Sequence, residues 1–358
     1  MHPFQRAVTK HMNRRKFLST ATAATAVLSL SPPLRAAEVS SRIPVGFLGA
    51  SYSHAPEKLK LLMHSADWDF VGVCDESAVG RRTCENLGAK RVSQDDLFRR
   101  ARVVVVESSG PDHAADAWRA LQAGKHVHLE KPTATRLADM QAVVGLAREK
   151  KLLLQTGFMW RYNTGFTRIW QGAQQGWLGD IFLVRGFISN SLAPPRRPQW
   201  AEYAGGSMFE LGSHLVDATV RLLGRHHTVT PCLRHHGKFK DSLKDNNVAV
   251  LEYDRASVVL VNTALQAGSS PERSFEVLGT KGSAILQPIE PPTLSIELTE
   301  AAGPYHKGVQ SVPLPAFERF EGDFAELAAA VRGEGALAVS LDEELLVAET
   351  VLRVGGMP

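Results

Sequence analysis

From residue 43 onward, short apolar runs alternate with stretches of helical periodicity. Residues 43–48 form an apolar run of strand length, followed by a helical stretch around 57–64. A second strand over 70–74 ends at Asp75. Residues 103–106 are four valines, the composition of a strand buried on both faces. Helical periodicity over 112–123 stops at Gly124, a helix-ending signal. A strand over 126–129, a helix over 137–150 and a strand over 152–156 complete the series. This alternation predicts an α/β domain, residues 42–156, built on a doubly wound parallel sheet.

After Thr156 the texture changes. Strand-like runs follow one another at 181–188, 248–253, 257–264, 275–278 and 283–286, with one strong helix over 208–223. This predicts an α+β domain, residues 157–316, with a large, mostly antiparallel sheet. Helical periodicity returns at 323–332 and 342–354, so residues 317–358 are expected to pack back on the core as helices.

The first segment has a different character. Asn13-Arg14-Arg15-Lys16-Phe17-Leu18 precedes an Ala/Thr/Leu run to Leu30, then Pro32-Pro33 and Ala36-Ala37. The apolar run is about a dozen residues, too short to span a hydrocarbon core of about 30 Å as a helix. A charged start, a short apolar stretch and small residues near the end describe an export signal over residues 1–37. The paired arginines resemble a twin-arginine signal, which implies the twin-arginine translocase as partner and a periplasmic or secreted location.

That segment also accounts for the apparent basicity. The chain carries 41 basic and 37 acidic residues. Six of the basic residues and none of the acidic ones lie within residues 1–37, which leaves the remainder at a net charge of −2. A nucleic-acid partner therefore has no support. The three cysteines Cys74, Cys84 and Cys232 cannot form a fully paired framework and match no zinc spacing. His226-His227 and His235-His236 lack an accompanying carboxylate cluster, so no metal site is expected. With 44% hydrophobic and 22% charged residues, the composition is that of an ordinary globular protein.

The turn after the first strand reads Gly49-Ala50-Ser51-Tyr52-Ser53-His54. A dinucleotide pyrophosphate would sit there against backbone N–H groups at a helix start. Gly49 can serve as the first glycine of the usual fingerprint, while Ser51 and His54 stand where the others would fall. Ser51 or Ser53 could give hydroxyls to phosphate. Taken alone, the stretch fits a plain strand-to-helix turn equally well. Asp75 lies 26 residues after Gly49, where a carboxylate accepts from a ribose 2′-OH and repels a 2′-phosphate, favouring NAD over NADP. An aspartate that merely caps the next helix is the plain alternative.

The strand over 126–129 runs into Glu130-Lys131-Pro132, which puts Lys131 at the ligand edge of an open parallel sheet. Farther along, Glu210, His214, Asp217 and Arg221 recur at helical spacing and share one face of the helix over 208–223. Simple surface ion pairs along that face, worth about 0.2–0.5 kcal/mol each, are the competing reading. Oxidation of an alcohol needs its hydroxyl proton removed as hydride leaves. Histidine suits that task, because its unperturbed pKa of about 6.5 lies near working pH. His214 is therefore the candidate base. Lys131 is the candidate donor to the developing alkoxide.

Gly124-Lys125-His126-Val127-His128-Leu129-Glu130-Lys131-Pro132 resembles the signature of the glucose–fructose oxidoreductase/inositol dehydrogenase/MocA-like family. Gly205-Gly206-Ser207 through Glu210, His214 and Asp217 resembles that family's second signature. The resemblance covers essentially the whole chain after the signal, and the glycine turn departs from it most. It implies a Rossmann domain and catalytic Lys131, His214 and Glu210, where Glu210 replaces the family's usual aspartate. It further implies cofactor contacts from Gly49, Ser51, Ser53, His54, Asp75, Ser108, His113, Glu130, Lys131 and Pro132. Arg161, Tyr162 and Asp217 are implied to meet substrate, with Asp217 orienting His214 or capping locally. Trp160 beside them reads equally as a packed aromatic. The activity implied is hydride transfer between a sugar or polyol and NAD, by a homo-oligomer (dimer or tetramer). Two alternatives stay open: an NAD-dependent glycoside hydrolase working by transient oxidation and elimination, and a non-catalytic sugar or dinucleotide sensor.

Overall fold

The computed structural model describes residues 42–358, and the export signal expected over 1–37 lies outside them. The chain begins with β1 (Ile43–Leu48), α1 (Ala55–His64), β2 (Trp68–Cys74), α2 (Ala78–Leu87), α3 (Gln94–Arg100) and β3 (Val103–Val106). It continues with α4 (His113–Gln122), β4 (His126–Leu129), α5 (Leu137–Lys150) and β5 (Leu154–Thr156). The five strands are all parallel, in the order β2-β1-β3-β4-β5. The chain leaves β1 in one direction to β2 and returns on the other side as β3. This creates a switch point at the carboxyl ends of β1 and β3, where open parallel sheets bind ligands. All four valines of β3 are buried, as a strand covered on both faces requires.

Helices α2 and α3 were not visible as apolar stripes, because only Gly80 and Cys84 are buried in the first and only Leu97 in the second. Their starts are instead set by caps. Ser77 and Ser93 accept from the N–H groups of Gly80 and Asp96.

The second half holds α6 (Thr164–Gln174), β6 (Ile181–Ser189), α7 (Arg197–Ala201), α8 (Gly206–Glu210) and α9 (Ser213–Leu223). These are followed by β7 (Thr228–Arg234), β8 (Asn246–Glu252), β9 (Ser257–Thr263), β10 (Ser274–Gly279), β11 (Gly282–Leu286), β12 (Leu294–Leu298) and β13 (Gly308–Val312). The eight strands form one sheet in the order β13-β12-β11-β10-β6-β9-β8-β7. Every neighbouring pair is antiparallel except β6 and β9. One face carries α6, α8 and α9. The other leaves Val248, Ile285 and Val309 exposed. The chain ends in α10 (Glu321–Arg332) and α11 (Leu341–Val354), and α11 packs against both α5 and α9.

The helix expected over 208–223 is in fact two. The chain breaks at Leu211-Gly212, where the Gly212 N–H reaches back to the Ser207 carbonyl. A Cβ on Gly212 would lie 2.5 Å from Met208 Sδ, so the sharp turn needs glycine. The single face proposed for Glu210, His214, Asp217 and Arg221 is therefore divided.

Candidate active site

The turn between β1 and α1 is shaped by Gly49, whose φ of +89° suits glycine. A Cβ there would stand 2.3 Å from the Ser108 backbone nitrogen, so glycine lets the turn lie against the end of β3. The N–H groups of Ser51 and Tyr52 donate to the Glu107 carbonyl, and Pro56 at the start of α1 lacks an N–H. Those of Ser53 and His54 have no protein acceptor among the described residues. Anion-binding capacity thus sits at the start of α1, beyond Ser51.

A cleft of about 230 Å³ runs from this turn past Ser77 and Val79 to Ser109, Gly110 and Pro111. It crosses the carboxyl ends of β1, β2 and β3, the track a dinucleotide takes on such a sheet. Two buried oxygens near it, Ser108 Oγ and Glu210 Oε2, have no hydrogen-bond partner. The residues present therefore fit a dinucleotide. Asp75 ends β2 with its carboxylate accepting from the Ala50 and Ser77 N–H groups, each at 2.7 Å. His113 is buried between the carbonyls of Pro132 (2.8 Å) and Ser108 (3.1 Å), tying the Lys131 corner to β3. Burial holds its pKa below the usual histidine value.

A second cavity, about 250 Å³, adjoins this cleft and shares Ser53, Arg196, Trp200 and Glu210 with it. On their common wall the Lys131 ammonium donates to Tyr52 Oη at 2.9 Å and to Glu210 Oε1 at 2.9 Å. The Tyr52 hydroxyl also donates to Glu210. Burial, then the charges of Glu210 and Glu130, raise the Tyr52 pKa well above its usual value, so this phenol keeps its proton. Tyr52 went unnoticed in the sequence because it stands inside a degenerate glycine turn.

His214 lines the same cavity between the rings of Trp160 and Phe158. Burial, then the positive charges of Lys131 and His54, push its pKa well below the usual value. It is thus a neutral imidazole. Its Nδ1 is buried without a partner, which leaves Nε2 as the nitrogen available to a ligand. His54, expected beside the cofactor, also lines this cavity and holds Glu130 Oε1 at 3.0 Å through Nδ1.

Three expected substrate contacts lie behind the cavity wall. Arg161 is buried between Asp217 (2.6 Å) and Glu344 (2.7 Å). Burial alone would lower its pKa, but the two carboxylates outweigh that and raise it. Asp217 therefore orients Arg161 and does not touch His214. Tyr162 donates to Glu326 at 2.6 Å and accepts from Gln155 at 3.0 Å. Each finds its partner on a neighbouring element, α10 or α11 included, which spacing in the sequence could not reveal. Arg221 lies over Trp170 and pairs with Glu343 rather than with Asp217.

Behind the turn lies a chamber that the sequence did not announce. Lys58, on α1, is completely buried with its ammonium 2.5 Å from Glu107, 3.0 Å from His128 Nε2 and in contact with Glu130. Glu107, His128 and Glu130 could by spacing hold a cation, but the Lys58 ammonium bonds all three. Burial, helped by Lys58, pushes His128 down to about 3. Burial pushes Glu107 up to about 8 against the pull of Lys58. Burial would also raise Glu130, yet Lys58 and His54 outweigh it and hold this carboxylate well below its usual value. A surface hollow of about 570 Å³ over α4 and α5 is lined by none of the candidate groups.

Comparison with known proteins gives these clefts a setting. The profile of an oxidoreductase family's NAD-binding Rossmann domain matches residues 43–158, and that of the same family's C-terminal α/β domain matches residues 173–352. A dTDP-3,4-didehydro-2,6-dideoxy-α-D-glucose 3-reductase of Streptomyces violaceoruber is 28% identical over 73% of this chain and 77% of its own. An inositol 2-dehydrogenase of Salmonella paratyphi B is 28% identical, over 57% of this chain and 58% of the enzyme. A UDP-N-acetylglucosamine 3-dehydrogenase from Acidithiobacillus ferrooxidans shares the fold, with a TM-score of 0.73, 18% identity and coverage of 87% and 96%.

Proposed function

The chain belongs to the glucose–fructose oxidoreductase/inositol dehydrogenase/MocA family of oxidoreductases, and from that premise we propose that it oxidises or reduces a sugar or polyol with a retained NAD. The observation that carries this reading is the Lys131–Tyr52–Glu210 group on the wall shared by the two clefts, with His214 facing the same space. When bound, the nicotinamide supplies or accepts the hydride. Glu210 and Tyr52 hold the Lys131 ammonium, whose longest bond, to the Glu210 carbonyl at 3.2 Å, is the one a reacting oxygen takes over, so that Lys131 stabilises alkoxide charge. Neutral His214 takes the hydroxyl proton at Nε2. Glu210 Oε2, buried without a partner, is free to accept from a substrate hydroxyl. Trp160 and Met159 offer apolar wall to a sugar face.

Asp75 places negative charge at the end of β2, which disfavours a 2′-phosphate and supports NAD over NADP. Export through the twin-arginine pathway to the periplasm, argued from residues 1–37, suits a protein that carries its cofactor with it. Val248, Ile285 and Val309 on the open sheet face support a homo-oligomer. The test is to denature the purified exported protein and assay the supernatant for nicotinamide nucleotide. About one equivalent of NAD(H) is expected. A protein that releases none and binds none when supplied would overturn the proposal.

A further inference from the structure

Besides its histidines, the cavity that His214 and Lys131 face is lined by four cationic side chains and two carboxylates. Its charges separate into paired and unpaired ones. Lys131 is matched by Glu210. Arg319 is matched by Glu290, whose carboxylate also takes the Trp160 indole N–H. Glu57 and Arg196 are exposed at the rim, where solvent screens them.

Arg273 is different. It stands between a short helical turn and β10, half-buried, and its Nε donates to the Ser189 carbonyl at 3.0 Å. No carboxylate among the described residues lies within ion-pair distance of it. Its guanidinium is thus fixed by one edge, while the remaining N–H groups meet the cavity. A guanidinium presented in this way matches a carboxylate in a two-point contact. With His54 bonded to Glu130, Lys131 to Glu210 and Arg319 to Glu290, Arg273 is the interior cation of this lining that has no carboxylate partner, which suits an anionic ligand.

From Arg273 and this charge count we infer that the substrate is a sugar acid or polyol acid, held by its carboxylate at Arg273 while a hydroxyl carbon lies before Lys131 and His214. The inference rests on the hydride-transfer reading of the same cavity and names its substrate class. It also bears on the base. Arg273 is one of the charges that depress the basicity of His214, after burial, Lys131 and His54. A carboxylate bound at Arg273 offsets part of that field, so substrate binding itself makes His214 a better proton acceptor.

Calorimetric titration of the purified holoenzyme with matched pairs tests this directly: D-glucuronate against D-glucose, D-galacturonate against D-galactose, and D-gluconate against D-glucitol. A charge-assisted contact is worth about 1.5–3 kcal/mol, so at least one acid should bind about tenfold to a hundredfold more tightly than its neutral partner. In Arg273→Gln that acid-to-neutral ratio should collapse towards one, and Arg273→Lys should restore part of it. Equal affinities, absence of binding in all three pairs, or a ratio unchanged in R273Q overturns the inference. D-Glucose 6-phosphate binding more tightly than every carboxylate overturns the carboxylate and assigns the subsite to phosphate. Failure here is distinct from failure of the hydride-transfer reading. An enzyme that holds NAD and turns over neutral sugars as readily as acids loses only the anion subsite.

Discussion

Two lysines of the dinucleotide-binding half are almost wholly buried, yet their surroundings differ in kind. Lys58 lies in the chamber behind the turn, where Glu107, Glu130 and His128 bond its ammonium, and it does not line the cavity that Lys131 and His214 share. Lys131 stands in front of the turn, bonded to Glu210 and to a tyrosine hydroxyl, and lines the cavity that His214 also lines. Neighbours in the chain serve the two regions. Glu130 turns back to Lys58 and Lys131 turns forward to Tyr52 and Glu210, just past the end of β4. Burial alone therefore does not make a charged group chemical. Behind the turn the charges are arranged to satisfy one another, and in front of it they face a space that admits a ligand.

The sharpest way to break that comparison is to remove each lysine in turn. Lys58→Met leaves Glu130 charged, buried and without its main partner, which costs about 3–5 kcal/mol of stability. Urea denaturation should show that loss, while turnover per folded molecule changes far less. His214→Gln should do the reverse, lowering kcat about 10²- to 10³-fold with little change in the urea midpoint. Lys131→Met should lower kcat as much while losing less stability than Lys58→Met, because Glu210 keeps the Tyr52 hydroxyl and lines a cavity. Equal stability losses in the two lysine variants, or turnover lost in a folded Lys58 variant, would erase the distinction between the two regions.

The chamber also predicts a pH dependence of its own. Asp323 is completely buried, and neither of its oxygens bonds another residue. Burial raises its carboxyl from the ordinary 3.8 to about 7 against the pull of Lys58. Between those values the folded protein keeps a proton that the unfolded chain gives up. The contribution of Asp323 to stability therefore falls as pH rises from about 4 to about 7, by at most about 1.4 kcal/mol per pH unit. Glu107, raised to about 8, acts with the same sign. His113, His128 and His214, buried below their usual pKa, act with the opposite sign below about 6.5, so the test is differential: the unfolding free energy of the protein relative to Asp323→Asn, measured at pH 5, 6 and 7, should decline as pH rises. A difference that stays flat or rises with pH would leave the Asp323 carboxyl charged in the folded protein.

The two regions were also unequally legible in the sequence. The front of the site shows in local motifs, because Glu130-Lys131-Pro132 ends a strand and Glu210 and His214 are four residues apart. The chamber left a fainter trace. Ala55, Lys58, Leu59 and Leu62 form the buried stripe of α1, so Lys58 occupies an apolar position in an otherwise ordinary amphipathic helix. Its partners come from the ends of β3 and β4, 49 and 72 residues away, and only the sheet topology brings them together. Arg273 has no periodic context at all, since its place is fixed by one backbone carbonyl at the end of β6. Elements with little buried surface were missed for a related reason. β7 is an edge strand carrying Pro231 and no fully buried position, so neither alternation nor composition marks it.

The smallest predicted effect tests the boundary between the regions. Tyr52 is the one residue of the turn whose side chain reaches Lys131, and its ring also lies 5.1 Å from that of His113. Tyr52→Phe keeps the ring and removes one hydroxyl, while Lys131 retains Glu210. A single hydrogen bond of this kind contributes about 0.5–1.5 kcal/mol, or roughly two- to twelvefold in a rate or binding constant. If Tyr52 only fills the turn, the loss should appear in the urea midpoint, with kcat unchanged. If it holds Lys131 in the position that serves the reacting oxygen, kcat should fall by that factor while stability and nucleotide content stay as they were. The second outcome is expected, because the ring is already packed against its neighbours and the hydroxyl touches only the two groups that face the substrate.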